Sequence, residues 1–349
     1  MKKQKVCIIG GGLSGLITAI MLSKYNLSID LVVKKFDEST KNFRSTAFSK
    51  SNYEFLNKLG LINNLKKEIW PVKGIKIYNI NQNLQPDEIL QFNEELGKDK
   101  ILYMIRNKIF VEKMKQIIKK KKIIKLKPYH LIKKNLNLNN YNLIINCTGP
   151  SSLFTKKILN NRNINLDYDE ISATMIVNHR PIKNYVAKQI FLKEGPLALL
   201  PISNTKTSIV WSIKKKYLSN ELNRRNIFIK NNLKTLLKNF FKIENVSPIQ
   251  YNELNFHLAK SYFKNRILNF GDVLHKIHPF AGQGFNMIIR DLIILEKIIK
   301  NKLKLGLDIG DLSSMMEFSE KSKPQNFVFA SSINILNDIA IVHNSDIIS

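Results

Sequence analysis

Two glycine-rich segments, one near each end of the chain, have the residue types and spacing of nucleotide-binding loops. The first, Gly10-Gly11-Gly12-Leu13-Ser14-Gly15, has the pattern G-x-G-x-x-G and lies between an apolar run and a helical pattern. In that context the first glycine permits a tight turn, the second lets a pyrophosphate approach the backbone, and the third lets helix and strand pack closely. The N–H groups and dipole at the helix start favour the phosphate charge. This loop is therefore expected to bind the adenosine diphosphate half of a dinucleotide.

One element of that fingerprint is missing. An acidic residue is expected at the end of the second strand, where it accepts a hydrogen bond from a ribose hydroxyl. Val33 and Lys34 stand at this point of the chain. Asp37 and Glu38, from the loop that follows, are the candidates for the role.

The second segment starts at Gly271 and Asp272, directly after an apolar run, and reaches Gly282-Gln283-Gly284, where a helical pattern begins. A carboxylate at a strand end can accept hydrogen bonds from sugar hydroxyls, and the amides of a helix start can stabilise a developing anion. Flavin becomes negatively charged at its N1 and O2 edge on reduction, so a helix start at that edge stabilises the reduced form. The segment is thus suited to a flavin.

His275 and His278 are spaced three residues apart and could begin a metal site. Asp272 is the only acid in this short stretch, and no zinc-type spacing completes a ligand set. We therefore expect no metal. The two histidines are predicted to pack and hydrogen-bond beside the cofactor.

The patterns around the two loops predict the elements that position them. Val6-Cys7-Ile8-Ile9 is typical of a parallel strand that is buried on both faces. A helix from Ser14 to Lys24 and a strand from Ile29 to Val33 complete a β-α-β unit. Ser51 and Glu54 have the spacing of a capping box at the start of a further helix.

The second half of the chain has a different pattern of predicted secondary structure. Extended segments from about Ile171 to Ile213 predict a second, mostly antiparallel domain, with a hairpin turn at Ser203-Asn204-Thr205. A helix is predicted to begin near Gly284, and the remainder of the chain to Ser349 is predicted to be mainly helical. The fold class is therefore α/β with a β-rich second domain and a helical C-terminus.

Length and charge limit the class of protein. A chain of 349 residues that is 44% hydrophobic can bury a sizeable core and is expected to form two domains. The net charge of +29 would suit nucleic acid or an anionic membrane. Because the lysines are spread along the whole chain beside many Asn and Ile residues, a compositional bias explains the charge equally well.

Cysteine content and hydropathy indicate the compartment. Cys7 and Cys147 are the only cysteines, which excludes a disulfide framework and favours a reducing compartment. The glycines at positions 10 to 12 argue against a secretory signal, and no apolar stretch has the length that spans a bilayer. We expect a cytoplasmic protein, either soluble or peripheral on the inner face of the cytoplasmic membrane.

Four stretches of the chain resemble the FAD-dependent aromatic-ring hydroxylases, and among these their ubiquinone-biosynthesis branch. The longest runs from Gly271 to Asn286 and matches the pattern G-D-x-x-H-x-x-H-P-x-x-G-Q-G-x-N almost residue for residue. The others are Arg44 to Ser49 with the helical segment that follows, Tyr103 with Asn107, and Gly195 to Pro201.

The resemblance implies an FAD site and assigns residues to it. Arg44 would contact the pyrophosphate or ribityl side, and Asp272 a ribityl hydroxyl. Pro279 and the backbone of Gly282 to Gly284 would line the isoalloxazine ring, with Asn286 near its pyrimidine edge. The implied cofactor-binding residues are Gly10, Gly11, Gly12, Leu13, Ser14, Gly15, Arg44, Asn107, Gly271, Asp272, Pro279, Gly282, Gln283, Gly284 and Asn286. No catalytic acid or base is assigned.

The resemblance also implies a para-hydroxybenzoate-hydroxylase-like architecture with a Rossmann-like, three-layer FAD domain. We expect an FAD-binding domain from residues 1–70, 98–160 and 258–310, a β-rich substrate domain from 71–97 and 161–257, and a C-terminal helical segment from 311–349. The implied reaction is a monooxygenation, in which NAD(P)H visits transiently to reduce the flavin and O2 is the co-substrate. The implied substrate is a prenylated phenol of ubiquinone biosynthesis, with peripheral membrane or biosynthetic-complex association and without nucleic acid as a partner.

Two departures from the family pattern are visible. The family has an Asp-Gly pair after a central strand, whereas this chain has Thr148 in the acidic position, followed by Gly149. The chain ends at Ser349, where members of the branch continue through another helical segment, so we expect its C-terminal contacts to differ.

Two other functions stay open. One is a different flavoenzyme on the same scaffold, such as a reductase of prenyl chains or a hydroxylase of a soluble aromatic acid. The other is a non-enzymatic basic binder of nucleic acid or membrane that keeps a relic fold. Retained FAD and oxygen consumption distinguish these functions from a hydroxylase.

Overall fold

A computed structural model of the protein describes residues 3–34, 36, 43–80, 85–93, 100–130, 138–158, 163–279 and 284–342. The helices of these residues are α1 (Leu13–Leu22), α2 (Lys50–Lys58), α3 (Asn107–Lys119), α4 (Leu153–Ile158), α5 (Leu222–Leu237), α6 (Gly284–Lys304) and α7 (Leu312–Val342). The strands are β1 (Gln4–Ile9), β2 (Leu27–Val33), β3 (Ser45–Ser49), β4 (Trp70–Val72), β5 (Gly74–Ile80), β6 (Pro86–Asn93), β7 (Leu102–Arg106), β8 (Ile124–Pro128), β9 (Leu143–Asn146), β10 (Asn163–His179), β11 (Val186–Phe191), β12 (Leu197–Ser203), β13 (Lys206–Lys214), β14 (Ile243–Val246), β15 (Gln250–Ala259), β16 (Phe263–Lys264), β17 (Ile267–Asn269) and β18 (His275–Lys276).

A six-stranded sheet forms the first layer among the described residues, in the order β16-β17-β9-β1-β2-β8. Its strands are parallel except for β16, which forms an antiparallel edge. Val6 to Ile9 are fully buried on both faces, as their apolar run predicts. Ile9 and Asn269 both pair with Asn146, so the carboxyl ends of β1, β9 and β17 lie level at one edge.

Helices α1, α3 and α6 cover this sheet and share its largest apolar core. Leu16 and Ile17 of α1, Phe110 of α3, and Ile288 and Leu292 of α6 are among the buried side chains of that core. Helix α1 is buried on every side from Ser14 to Leu22, whereas α3 and α6 each turn one apolar stripe toward the sheet. The packing of α6 fixes where its first turn lies relative to β1.

The second large sheet is mixed and is built mainly from the middle of the chain. Its strand order among the described residues is β18-β15-β10-β13-β12-β11-β5-β6, with β14 paired to β10. The predicted hairpin is confirmed, since β12 ends at Ser203 and β13 begins at Lys206. Helix α5 covers one face, where Trp211 is buried and donates its indole N–H to Gly195 O at 3.2 Å.

A small antiparallel sheet, β3-β7-β4, packs on both large sheets. Its apolar side chains, such as Ala47 and Met104, pack with Ala198 and Leu200 of the large mixed sheet. The strand β18 belongs to the predicted FAD-binding residues but pairs with β15 of the mixed sheet. The exact division of the chain into domains stays a prediction.

Most predicted elements are confirmed, and one helix cap is wrong. Helix α2 is capped by Ser49, whose Oγ accepts from the Asn52 N–H, rather than by Ser51. The reason is that β3 ends at Ser49, so the helix begins two residues earlier than the Ser51 and Glu54 spacing predicts. The chain leaves the helix at Gly60, which has a φ of +77° in the left-handed region that favours glycine.

Cys7 and Cys147 are free thiols, which confirms the absence of a disulfide framework between them. No helix within the described part of the chain combines the length and the apolar composition of a bilayer-spanning segment.

Asp311 caps the long C-terminal helix α7. Its Oδ1 accepts from the Ser314 N–H at 2.8 Å, and Lys302 Nζ lies 2.9 Å from its Oδ2. Desolvation alone would raise the pKa of this carboxyl, but the hydrogen bonds from Ser314 and Lys302 outweigh it and hold the pKa well below its usual range. The ionised side chain therefore stabilises the folded state.

We predict that Asp311→Ala lowers the free energy of unfolding at pH 7 by about 1 kcal/mol, as the loss of a helix N-cap does. A lowered folded-state pKa gives stability that is present above the ordinary Asp pKa of about 3.9 and is lost as the pH falls through the folded value. Denaturant titrations of the two proteins should therefore converge at acidic pH. Asp311→Asn is the control, since asparagine keeps the cap but not the charge; equal stabilities of wild type and Asp311→Ala at pH 7 would contradict the assignment.

Candidate functional site

The ends of three adjacent strands carry the predicted loops to one edge of the parallel sheet. Strand β1 leads into Gly10, β9 into Cys147 and β17, through Phe270, into Gly271. Strand β1 pairs with β2 on one side and with β9 on the other, so the chain connections after β1 and after β9 run in opposite directions along the sheet. The crevice between β1 and β9 is therefore a topological switch point, where open α/β sheets bind their ligands.

The first loop is shaped by close contacts that only glycine allows. Gly10 has a φ of +125°, and a Cβ on it would lie 2.4 Å from Cys147 O. A Cβ on Gly15 would lie 2.0 Å from Gly10 O, and one on Gly11 would lie 2.9 Å from Val33 Cγ1. The roles expected of the turn glycine and the packing glycine therefore have direct steric causes.

Gly12 differs from its neighbours, because the protein itself does not require it. Its φ of −79° suits any residue, and a Cβ on it would meet no atom within 4 Å. Gly12 is the N-cap of α1, and Leu13 begins that helix with its side chain packed on the core. The space above Gly12 is thus an open cradle at a helix start, with the shape and polarity that a pyrophosphate needs.

The two glycine segments touch each other at Gly271. This residue has a φ of +71°, and a Cβ on it would lie 2.4 Å from Ser14 Oγ. The contact places Asp272 beside the start of α1. The two segments are separated by most of the chain, yet both border the crevice between β1 and β9 (the cleft).

Asp272 and Arg44 are close enough for their charges to interact. Both side chains are open to solvent, but the walls of the cleft desolvate them. Desolvation raises the pKa of Asp272, and nearby positive groups, including Lys276 and Arg44, oppose the shift. Desolvation likewise lowers the pKa of Arg44, and Asp272 opposes it. One acceptor and one cation are therefore held at the same cleft, where hydroxyl and phosphate groups could bind them.

Asn107 positions Arg44. The Asn107 N–H donates to Arg44 O at 3.0 Å, and the Asn107 Oδ1 accepts from the Thr46 hydroxyl. Both bonds join the start of α3 to the beginning of β3. The structure thus gives Asn107 a role inside the protein, and direct cofactor contact by its side chain stays a prediction.

The start of α6 is joined to the end of β3 by Asn286. Its Oδ1 accepts from the Ser49 N–H at 3.1 Å and from Asn52 Nδ2 at 2.7 Å, and its Nδ2 donates to Ala47 O at 3.3 Å. A Cβ on Gly284, at the first position of α6, would meet no atom of the described residues within 4 Å.

The loop between these parts is only partly described. Pro279 is half-buried at its beginning. Gly282 and Gln283 lie outside the described residues, as do Asp37 and Glu38, the candidates for ribose recognition. Val33 is buried against Gly11 at the end of β2, so its side chain contributes no polar contact.

Thr148, which stands in the family's acidic position, belongs to a hydroxyl and amide network. Its hydroxyl donates to Asn146 Oδ1 at 2.7 Å and is 2.9 Å from Thr155 Oγ1, and Ser152 Oγ lies beside it. The Asn146 Nδ2 donates to Asn269 Oδ1 at 3.0 Å. The network ties the end of β9 to β17 without a negative charge.

No sequence pattern identifies the residues that hold the Asp272 turn in place. His257 of β15 hydrogen-bonds through Nε2 to Val273 O at 2.9 Å and through Nδ1 to Asn165 Oδ1 at 2.7 Å. Burial lowers the pKa of His257, although the bond to Val273 opposes the shift. A lone histidine in a strand has no pattern that identifies such a role.

Both histidines of the second segment are buried beside carboxylates. His275 Nε2 lies 2.9 Å from Asp291 Oδ2, and Asn326 of α7 donates to the same carboxylate at 3.0 Å. His278 Nε2 lies 2.9 Å from Glu170 Oε2. Their predicted hydrogen bonding is confirmed. Within the described ranges, no group of three or more His, Cys, Asp or Glu side chains is arranged to hold a metal ion.

The cleft fits FAD on the evidence of its own groups. An open glycine at the start of α1 suits the pyrophosphate, and the carboxylate of Asp272 beside it suits sugar hydroxyls. A parallel sheet with this glycine loop and this adjoining turn defines an α/β dinucleotide-binding protein.

The family model described as "FAD binding domain" matches residues 3–126 and 142–305. The chain belongs to this family, which confirms the predicted FAD cofactor. The residue-by-residue assignment of the site stays a prediction.

Among the proteins of similar sequence are enzymes named for ubiquinone biosynthesis. The chain is 23% identical over 400 residues to the mitochondrial ubiquinone biosynthesis monooxygenase COQ6 of Danio rerio, covering 95% of this chain and 81% of that protein. It is 23% identical to the ubiquinone hydroxylase UbiL of Rhodospirillum rubrum, over 98% of this chain and 84% of the relative. The predicted resemblance to the ubiquinone-biosynthesis hydroxylases and the predicted monooxygenase class are confirmed.

Solved structures share the fold. The p-nitrophenol 4-monooxygenase PnpA of Pseudomonas putida DLL-E4 matches with a TM-score of 0.76 at 13% identity, over 96% of this chain and 88% of that chain. The pqsL protein of Pseudomonas aeruginosa matches with a TM-score of 0.77 at 12% identity, over 97% of each chain. The predicted α/β architecture with a β-rich second part is therefore confirmed.

We predict that Gly12→Ala folds normally but binds FAD weakly, because the new methyl group meets no protein atom and occupies the cradle. The apo protein should keep its melting temperature, while the Kd for FAD should rise by about tenfold or more, equivalent to about 1.4 kcal/mol. Fluorescence titration of the apo protein with FAD measures this change.

Gly60→Ala is the matched control for the glycine substitution. Gly60 has a φ of +77° and lies after α2, so its substitution should lower the melting temperature and leave the Kd for FAD unchanged. An unaltered Kd in Gly12→Ala would show that the cradle does not hold the cofactor.

Proposed function

We propose that the protein is an FAD-dependent monooxygenase that hydroxylates a prenylated phenolic ring with NAD(P)H and O2 in ubiquinone biosynthesis. The observation that carries this proposal is the contact of Gly271 with Ser14, which brings the two glycine segments together at the cleft. The names of COQ6 and UbiL support the choice of substrate class and pathway.

Each part of the cleft has a task in this proposal. The loop from Gly10 to Gly15 and the N–H groups of α1 would bind the pyrophosphate, with Arg44 as a cation beside it. Asp272 would accept from a ribityl hydroxyl. The start of α6 would face the pyrimidine edge of the ring, where its dipole favours negative charge.

Bound FAD would supply the redox chemistry, and the protein's residues would position the reactants and exclude water. The sequence holds a single G-x-G-x-x-G fingerprint. NAD(P)H is therefore proposed as a transient co-substrate without a dinucleotide-binding fold of its own. No side chain of the cleft is assigned as an acid or base.

A prenylated substrate would be found at a lipid surface, so we include peripheral membrane association in the proposal. The net charge of +29 favours acidic headgroups. Exposed apolar side chains between α6 and α7 and at the start of α7 offer contact with lipid. They are Leu305, Leu307, Leu312 and Met316.

The test is complementation of bacterial strains that each lack one ubiquinone hydroxylase, with the accumulated quinone precursors identified by mass spectrometry. We predict rescue of one strain only, with one oxygen atom from labelled O2 in the product ring. The FAD-binding variant Gly12→Ala is the negative control, and Gly60→Ala is the positive control.

Other outcomes would select the alternative functions. Rescue of no strain by a protein that retains FAD and reduces a prenyl chain without oxygen would replace the hydroxylase with a reductase. A colourless protein that binds RNA tightly and loses it with salt would favour the basic binder.

A further inference from the structure

A buried hydrogen-bonded pair, Glu170 and His278, joins the mixed sheet to the second glycine segment. Glu170 of β10 places Oε2 at 2.9 Å from His278 Nε2, and both side chains are at most 2% exposed. The Tyr168 ring packs edge-on against the His278 ring, with centroids 5.2 Å apart. The pair lies 108 residues apart in sequence, so the contact is a product of the tertiary fold.

A bulge in β10 directs Glu170 inward. Asp167 pairs with Asn255 and Glu170 with Leu254, so two residues of β10 have no partner between them. One of these two, Asp169, has a φ of +54°, which is unusual for a residue other than glycine. Bulges re-aim side chains and are concentrated beside active sites. The backbone is thus held in a strained form at the point that presents Glu170.

Glu170 also continues a buried polar row. Glu170, Ser172 and Thr174 alternate along β10 and are all buried, so they share one face of the sheet. The opposite face carries Ala173 and Met175, which pack in the apolar core with α5. The polar face is therefore the one turned toward His278.

Stability alone does not account for this arrangement. Apolar side chains, among them Phe256, Ile277 and Met287, form a cluster beside the pair, and Tyr168 belongs to the same cluster. Burying a charged or strongly polar pair carries a desolvation cost, and well-packed apolar residues often serve equally well. A buried pair presented by a strained bulge points to a role in the site.

We propose that Glu170 is a positioning residue that acts through His278 on Pro279. The proposal rests on the proposed function and on the expectation that Pro279 lines the flavin ring. Pro279 directly follows His278, so a fixed imidazole also fixes the position of Pro279. The mixed sheet, which would bind the substrate, thereby holds Pro279 in place.

The experiment compares Glu170→Ala and Glu170→Gln with wild type as FAD-loaded proteins. Two quantities are measured: the visible circular dichroism of bound FAD, and the share of NAD(P)H electrons that is released as H2O2. We expect Glu170→Ala to retain FAD, to change the flavin dichroism, and to raise the H2O2 share by about tenfold, since small misplacements near reacting groups have large effects. Glu170→Gln keeps a hydrogen-bonding partner for His278, and its values should lie closer to wild type.

Asp30→Ala is the matched control. Asp30 is also a buried carboxylate, which accepts from the Tyr141 hydroxyl at 2.7 Å and lies on β2. Its loss should lower the melting temperature without changing the flavin dichroism or the H2O2 share.

The result that would overturn the proposal is a Glu170→Ala protein that melts earlier, as Asp30→Ala does, but keeps the wild-type dichroism and H2O2 share. If Glu170→Ala does not fold, Glu170→Gln decides by the same two measurements. The dichroism of bound FAD needs no substrate, so it tests the pair even if the wild-type protein hydroxylates no phenol and the proposed function fails.

Discussion

The contact between Gly271 and Ser14 is the constraint on which the site depends. A side chain at position 271 would collide with the Ser14 hydroxyl, and the φ of +71° independently favours glycine there. Because of this contact, the turn after β17 lies against the start of α1, and Asp272 borders the same cleft as the first glycine loop. The level ends of β1, β9 and β17 make the contact possible, since both outer strands pair with β9 at Asn146.

Further layers of the molecule hold that arrangement in place. His257 reaches from the mixed sheet to the carbonyl of Val273, and Asp291 connects His275 to Asn326 of the C-terminal helix. These bonds arrive from three different elements and meet at one short segment. Buried polar groups that are fully hydrogen-bonded specify a single arrangement more strongly than apolar packing does. The cleft is therefore a product of the whole fold rather than of its loops alone.

The sequence predicted the parts of the site that depend on local structure. The glycine loop, the strands beside it and the start of α6 follow from apolar runs, helical spacing and glycine positions, and these are short-range signals. The cap of α2 was misplaced because the end of β3, which decides the cap, depends on pairing with β7. The bonds of His257 and Glu170 were not predictable, because their partners are distant in sequence and come together only when the strands of the mixed sheet pair.

Asn107 and Thr148 show a different limit of sequence reasoning. A family motif identifies Asn107, and in this chain its side-chain oxygen accepts from the Thr46 hydroxyl while its backbone N–H donates to Arg44 O. Thr148 replaces an acid, and the surrounding hydroxyl and amide groups supply its hydrogen bonds. Motif matching gives the position of a residue, whereas its hydrogen-bond partners determine what its side chain does.

The most direct test of the central claim is a crystal structure of the protein with FAD bound. The pyrophosphate should then lie over Gly12 at the start of α1, and Asp272 should accept a hydrogen bond from a ribityl hydroxyl of the same molecule. An FAD molecule whose pyrophosphate lies away from Gly12, or whose ribityl chain does not reach Asp272, would contradict the account.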